Sequence, residues 1–198
     1  MQKRSQETRH RIMMAAISEF ARHGYDATSV AQICQAAGVS KGAFYHHFPS
    51  KQALFLALLG SWLDLLDAQF LAARTEAATV PESFDRMTGL MEDIYESAGG
   101  SLPMFLEFWT QASHDPAVWE TVIAPYRRYQ EYFATMIQEG IDEGSLKPTD
   151  PQVTARVMVA LAVGLLLQGL LDPQGTDWGQ VTQHGFQLLI DSMRQETK

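Results

Sequence analysis

Cysteine is all but missing: Cys34 stands alone among 198 residues. One thiol excludes an intramolecular disulfide framework and a Cys-rich zinc site. The start, MQKRSQETRHR, is basic but runs into no apolar stretch, so a secretory leader is not expected. The longest apolar run, Val157 to Leu167, is about half of the ~20 residues that span a bilayer. Also lacking are internal repeats, low-complexity linkers and the two-residue alternation of strands. With 46% apolar and 19% charged residues the composition is that of an ordinary globular chain, not a disordered or fibrous one. The expectation is a soluble, cytoplasmic, all-α protein of one or two domains.

Positive charge is scarce as well, 15 Lys and Arg against 23 Asp and Glu. A net charge of −8 argues against a nucleic-acid partner until its distribution is read. Residues 1–51 hold Lys3, Arg4, Arg9, Arg11, Arg22, Lys41 and Lys51 against only Glu7, Glu19 and Asp26. The rest of the chain carries the acid excess. A basic head on an acidic body suits a polyanion at one end, because DNA affinity follows local phosphate neutralisation and not whole-chain charge.

Apolar residues recur at three and four, and the breaks between them are helix caps. Ile12, Ala16 and Phe20 form one stripe, Gly24 offers a left-handed C-cap, and Tyr25 covers the last turn. Ser29 with Gln32 reads as a capping box for a helix that buries Ile33, Cys34 and Ala37. After Gly38, Ser40 caps a short helix carrying Phe44 and Phe48, with Ala36, Ala37 and Gly38 small where the two helices cross. Ser50 starts a long helix expected to bury Leu54, Phe55, Leu58, Trp62, Leu65 and Leu66. Further helices are expected over 81–98, 102–113, 116–143 (kinked at Pro125), 151–171 and 178–194, about nine in all.

Within this pattern Ser29–Phe48, SVAQICQAAGVSKGAFYHHF, has the spacing of a helix-turn-helix. Its second helix presents Ser40, Lys41, Gly42, Ala43, Tyr45, His46 and His47 outward: donors, a cation and small residues, as a major-groove reader needs. The surrounding GYDATSVAQICQAAGVSKGAFYHHFPSKQALF resembles the DNA-binding domain of the TetR family of bacterial transcriptional repressors, specifically over about residues 8–58. Beyond Leu65 only length and helix rhythm match. The resemblance implies a three-helix DNA-binding domain, residues 1–50, and a helical effector-binding and dimerisation domain, residues 51–198. It further implies that Lys41, Gly42 and Ala43 face bases, that Tyr45 and His47 hold phosphates, and that His46 flanks them. Thr28 and Ser29 would present the start of the second helix to phosphate, and Lys51 would bind an oxyanion at the start of the fourth.

In the body, the segment Val157 to Leu171 has no polar face and must be buried on more than one side. With the last helix it reads as half of a four-helix homodimer interface, for which Leu161, Leu165, Gln168, Phe186, Leu189, Ile190 and Met193 are the candidates. An apolar effector cavity is expected among Met87, Met91, Tyr95, Phe105, Phe108, Trp109, Trp119, Tyr126, Tyr129, Phe133 and Met136, with Gln168, Gln111, His114 or Glu107 as polar orienters. Packed core is the competing reading for any one of these. No metal-ligand spacing, nucleophile elbow or phosphate-cradling glycine loop occurs, so neither an enzyme, a metal site nor a cofactor is expected. The expected function is an operator-binding homodimeric regulator released by a small apolar or amphipathic effector. The alternative is a DNA-binding regulator that is ligand-independent or controlled by a protein partner.

Overall fold

The computed structural model describes residues 2–91, 106, 108–110 and 112–195. Eight helices are delimited: α1 (Gln2–His23), α2 (Val30–Ala37), α3 (Lys41–His47), α4 (Lys51–Thr75), α5 (Val80–Gly89), α6 (Pro116–Asp142), α7 (Pro151–Leu171) and α8 (Trp178–Met193). Residues 108–110 are also helical. Among the described residues there is no strand, only an isolated bridge between Leu146 and Arg194. The chain divides into two compact units. The first holds Met1–Asp64 and Gly100–Trp119, the second Leu65–Gly99 and Glu120–Lys198.

The first unit is built as its caps foretell. Gly24 and Gly38 adopt left-handed φ values of 82° and 63°, which glycine reaches readily because it has no Cβ. The Ser29–Gln32 capping box forms in full, and Ser40 Oγ accepts from the Ala43 amide at 3.1 Å. Ile12, Ala16, Phe20, Ile33, Phe44, Leu54 and Phe55 are essentially inaccessible to solvent. The unit extends into α4 because Leu54, Phe55 and Leu58 close its core. Phe108, expected among the effector residues, packs in this unit: it stacks on Phe55 at 3.9 Å and meets Tyr25 edge-on at 5.2 Å. Ala36, expected at a close helix crossing, is exposed; Ala37 is the buried one.

In the second unit α4 buries Leu63, Leu66, Phe70 and Ala73. Leu65, expected on that stripe, is 58% exposed, because the buried line runs one position to its side. α5 is capped by Thr79 and ends at Gly89, well short of the helix expected to Ala98; residues 92–100 lie outside the described residues. Asp150 caps α7 through the Gln152 and Val153 amides, with Pro151 at the start as expected. Arg194 pairs with Asp85, tying the end of α8 to α5. By length and composition α4 and α7 are each apolar enough to reach across a bilayer. Here α4 instead supplies core residues to each unit, and α7 packs on α8.

That packing corrects part of the interface expectation. Leu165, Phe186, Ile190 and Met193 are buried within their own chain. A Cβ on Gly185 of α8 would touch Leu165 at 3.5 Å and Leu161 at 3.9 Å, so these leucines face α8 of the same subunit. The apolar side chains left in solvent are others: Val153, Val157, Leu167 and Leu171 on α7, and Val181 and Leu188 on α8. Gln168 is exposed and Leu189 half-buried.

Candidate nucleic-acid interface

A seven-residue helix has little stability of its own. α3 holds its shape through tertiary anchors: Phe44 is fully buried, Phe48 nearly so, and their rings lie 6.0 Å apart. The left-handed turn at Gly38 sets the angle at which α3 leaves α2. With one side anchored, α3 leaves Ser40, Lys41, Gly42, Tyr45 and His46 in solvent, and Ala43 and His47 half-buried. Tyr45, 53% exposed, is braced edge-on against Phe44 at 5.3 Å. A Cβ at Gly42 would meet nothing nearer than Ser40 Oγ at 3.8 Å. The fold therefore does not demand glycine there.

Two imidazoles and a guanidinium gather at the C-terminal end of α3. The His46 and His47 rings are 5.1 Å apart, and the Arg9 guanidinium lies 5.2 Å over the Phe48 ring. Partial burial, helped by the neighbouring His46 and Arg9 charges, lowers the pKa of His47 below the ordinary histidine value. An adjacent phosphate would offset that penalty, since an opposite charge favours the protonated ring.

Two expected phosphate ligands are otherwise engaged. Thr28 is buried, and its hydroxyl donates to the carbonyls of Gly24 at 2.7 Å and Glu19 at 3.2 Å. Lys51 Nζ donates to the carbonyls of Tyr25 (2.6 Å), Thr28 (2.9 Å) and Asp26 (3.2 Å), and lies 4.3 Å from the Tyr25 ring centroid. An ammonium has three hydrogens. Lys51 thus ties the α1–α2 turn to the start of α4 and helps position the helix-turn-helix. Ser29 is exposed, with its hydroxyl engaged by Gln32.

The expected effector residues do not all come together. Tyr95, Phe105, Glu107 and Gln111 lie outside the described residues. Trp109 and Trp119 belong with Phe108 to the first unit. Trp109 and Tyr126 are exposed, as are Gln168 and His114, while Met91 and Trp119 are half-buried. In the second unit Phe70, Phe84, Tyr129 and Phe133 do cluster, with ring contacts of 5.8–6.4 Å, and Met87 and Met136 are buried. Sequence reasoning missed the polar groups of this cluster. Tyr129 Oη donates to Asp67 at 2.7 Å, and Arg128 pairs with the other Asp67 oxygen. Burial and that hydrogen bond push the Tyr129 phenol well above its usual pKa. The Tyr132 hydroxyl is buried with no hydrogen-bond partner. No sequence signal marks Asp67, since nothing local says that α4 meets α6. Among the described residues no group of His, Cys, Asp and Glu is arranged to hold a metal.

The helix-turn-helix unit falls where the chain matches the model for bacterial regulatory proteins of the tetR family, residues 12–58. A second match, to the C-terminal domain of BetI-type transcriptional repressors, covers residues 98–189. Among curated relatives, the HTH-type transcriptional regulator UidR of Escherichia coli (strain K12) is 27% identical over 168 residues, covering 84% of this chain and 83% of that protein. The HTH-type transcriptional repressor KstR2 of Mycolicibacterium smegmatis is 27% identical over 142 residues, covering 71% and 68%. Among solved structures, a Saccharomonospora viridis protein in complex with choline superposes with a TM-score of 0.83 at 23% identity, covering 96% of this chain and 100% of that one. The ketosteroid transcriptional regulator KstR2 of Mycobacterium tuberculosis gives 0.70 at 21%, covering 95% of each chain.

Proposed function

Because the chain belongs to the TetR family of bacterial regulatory proteins, we propose that it is a homodimeric repressor released from a palindromic operator by a small apolar or amphipathic effector. The observation that carries the DNA part is the face of α3: Ser40, Lys41, Gly42, Ala43, Tyr45, His46 and His47 are presented on a helix pinned by Phe44 and Phe48. Lys41 reads a guanine edge or rests on a phosphate, Ala43 meets a thymine methyl, and Tyr45 and the histidines hold the backbone. Ser29 contributes through the capped start of α2.

One α3 reads too few bases for useful specificity, so two copies read half-sites about 34 Å apart or a multiple of that. The dimer contact lies on the exposed stripe Val153, Val157, Leu167 and Leu171 of α7, with Val181 and Leu188 of α8. At 100° per residue Val153, Val157, Leu167 and Leu171 fall within one side of α7, and pairing removes them from water. Domain boundaries follow the same division of labour: the helix-turn-helix, with the first half of α4, binds DNA, and the remainder dimerises and binds effector.

The effector part rests on the second-unit aromatics Phe70, Phe84, Tyr129 and Phe133, with the unpartnered Tyr132 hydroxyl as a polar anchor. A buried hydroxyl without a partner is costly unless something occupies it. The choline complex of a similar fold favours ligand control over constitutive repression. Helix α4 contributes to both units, so a ligand that fits better with α4 displaced lowers operator affinity by its differential affinity for the two states. The test is to select duplexes from a random pool with the purified protein, then titrate candidate effectors found by thermal-shift screening. A palindromic consensus, released on titration, is expected. Failure to enrich any sequence removes the DNA reading, whereas operator affinity unchanged at saturating ligand removes only the effector reading.

A further inference from the structure

A groove between α1 and α4 is used by neither the face of α3 nor the aromatics of the second unit. Every residue lining it belongs to the first unit, and its volume is about 420 Å³. Small-molecule sites typically run ~300–1,000 Å³. The Phe20 and Phe55 rings, 6.3 Å apart, hold the two helices together. About one turn away on each helix the groove begins, at Ile17 and Leu58. Its α1 wall is formed by Gln6, Arg9, His10, Met13, Met14 and Ile17, the three-and-four spacing of one helix face. Ser61 and Trp62 follow Leu58 on the α4 wall, again at that spacing.

The chemistry of the groove is divided along its length. Met13, Met14, Leu58 and Trp62 make an apolar part, in which Met14 is 52% exposed and Trp62 half-buried. Methionine side chains adapt their shape to what they cover. One turn before the methionines, roughly 6 Å along α1, stand Arg9 and His10. No Asp or Glu lines the groove, and among the described residues no carboxylate pairs with either of these side chains. The Arg9 guanidinium donates from Nη1 to Met13 Sδ at 3.1 Å, and a thioether is a weak acceptor. A guanidinium left with so poor a partner gains most from a charged one. We propose that this groove is a second ligand site, taking a free amphipathic carboxylate. The carboxylate accepts from Arg9 and the His10 ring, and an unbranched alkyl chain lies along Met13, Met14, Leu58 and Trp62. The site is separate from the aromatic cluster of the second unit, and it stands or falls independently of the effector reading there.

The experiment titrates the full chain, carrying methyl-labelled methionine, with decanoate, decanol and decyltrimethylammonium, and follows both calorimetry and methyl NMR. Decanoate should shift the Met13 and Met14 methyl signals, which are assigned by their loss in Met13→Leu and Met14→Leu. It should bind at least ~10-fold more tightly than decanol, the difference a charge-assisted hydrogen bond makes, and decyltrimethylammonium should bind least. Arg9→Gln should bring decanoate down to the affinity of decanol, whereas Arg9→Lys, which keeps the charge, should retain most of the preference. Met14→Glu, at an exposed position, should abolish decanoate binding in the groove. Unchanged circular dichroism verifies the fold of each variant. Decanoate that binds while shifting Met87 and Met136 in place of Met13 and Met14 sits in the second unit and overturns the groove site. Equal affinity for all three head groups overturns the carboxylate assignment. Binding of none of the three overturns the ligand site altogether and leaves the groove to a protein partner.

Discussion

Helices α3 and α7 each leave a face unburied in the single chain, and the two faces have opposite chemistry. α3 exposes Ser40, Lys41, Tyr45 and His46, whereas α7 exposes Val153, Val157, Leu167 and Leu171, the last 75% accessible. An exposed polar face costs nothing in water, so its residues are free to be chosen for a partner. Exposed leucines and valines in a row are different, because each gains about 25 cal/mol per Å2 when covered. The first face therefore tolerates a free state and a bound state. The second calls for constant cover, which the proposed second copy of the chain would supply. Regulation would then act through the polar contact, and assembly would stay fixed.

The sharpest way to break this contrast is to put charge on the apolar face. Val157→Asp with Leu167→Asp changes two side chains that are solvent-accessible in the single chain, so the fold should survive. Sedimentation should then report a monomer in place of a dimer. Operator affinity should drop by at least ~100-fold, since linked half-sites typically gain 10²–10⁴ over single ones. A dimer that persists would place the subunit contact elsewhere. On the polar face, Lys41→Ala should keep the dimer and lose about 1–3 kcal/mol of operator binding, read by fluorescence anisotropy. Loss confined to operators with one particular base pair assigns Lys41 to a base; equal loss on all sequences assigns it to a phosphate.

The same two helices mark how much the sequence reveals. The face of α3 is readable because local signals enclose it: Ser40 starts the helix, Phe44 and Phe48 point inward, and Gly38 sets the turn. No residue beyond Phe48 is needed to infer which side is free. The faces of α7 are not readable this way. An all-apolar helix announces that it is buried on more than one side but not by what, so Leu165, Phe186 and Ile190 were assigned to a partner when their own subunit covers them. The partners of Lys51 and Thr28 were hidden for a related reason. Charge and hydroxyl type suggested phosphate, yet the carbonyls that engage them come from a turn 23 to 26 residues before Lys51 and from the end of α1 and the turn after it. The Phe108 stack on Phe55 spans more than fifty positions, a distance over which periodicity carries no information. Even so, the body does carry a family signature over 98–189, which helix rhythm alone did not reveal.

A subtler test separates what α3 needs for folding from what it needs for its partner. Gly42 sits inside the helix with room for a methyl group. Gly42→Ala should therefore stabilise the free protein by up to ~1 kcal/mol, visible as a higher melting temperature. If the gap serves close approach of DNA, operator affinity should fall several-fold in the same variant. Movement of stability and affinity in opposite directions is the signature of a residue kept for binding. A variant that is more stable and binds equally well would make Gly42 merely tolerated.

The smallest effect concerns protons at the end of α3. His47 has a lowered pKa in the free protein, through partial burial first and the His46 and Arg9 charges second. In the unfolded chain those penalties vanish, so as pH falls through the ordinary histidine range the unfolded state takes up the proton first. The His47 contribution to stability is thus present above that range and lost as pH falls through it. Binding to DNA works in the other direction, because phosphate favours the imidazolium. Operator affinity should rise on going from pH 8 to pH 6, by less than tenfold per pH unit if one proton is taken up. His47→Gln should flatten that rise while leaving affinity at pH 8 nearly unchanged, since the native ring is neutral there. A pH profile that is the same in wild type and His47→Gln would remove His47 from the phosphate-binding edge and leave it as a packing residue against Phe48.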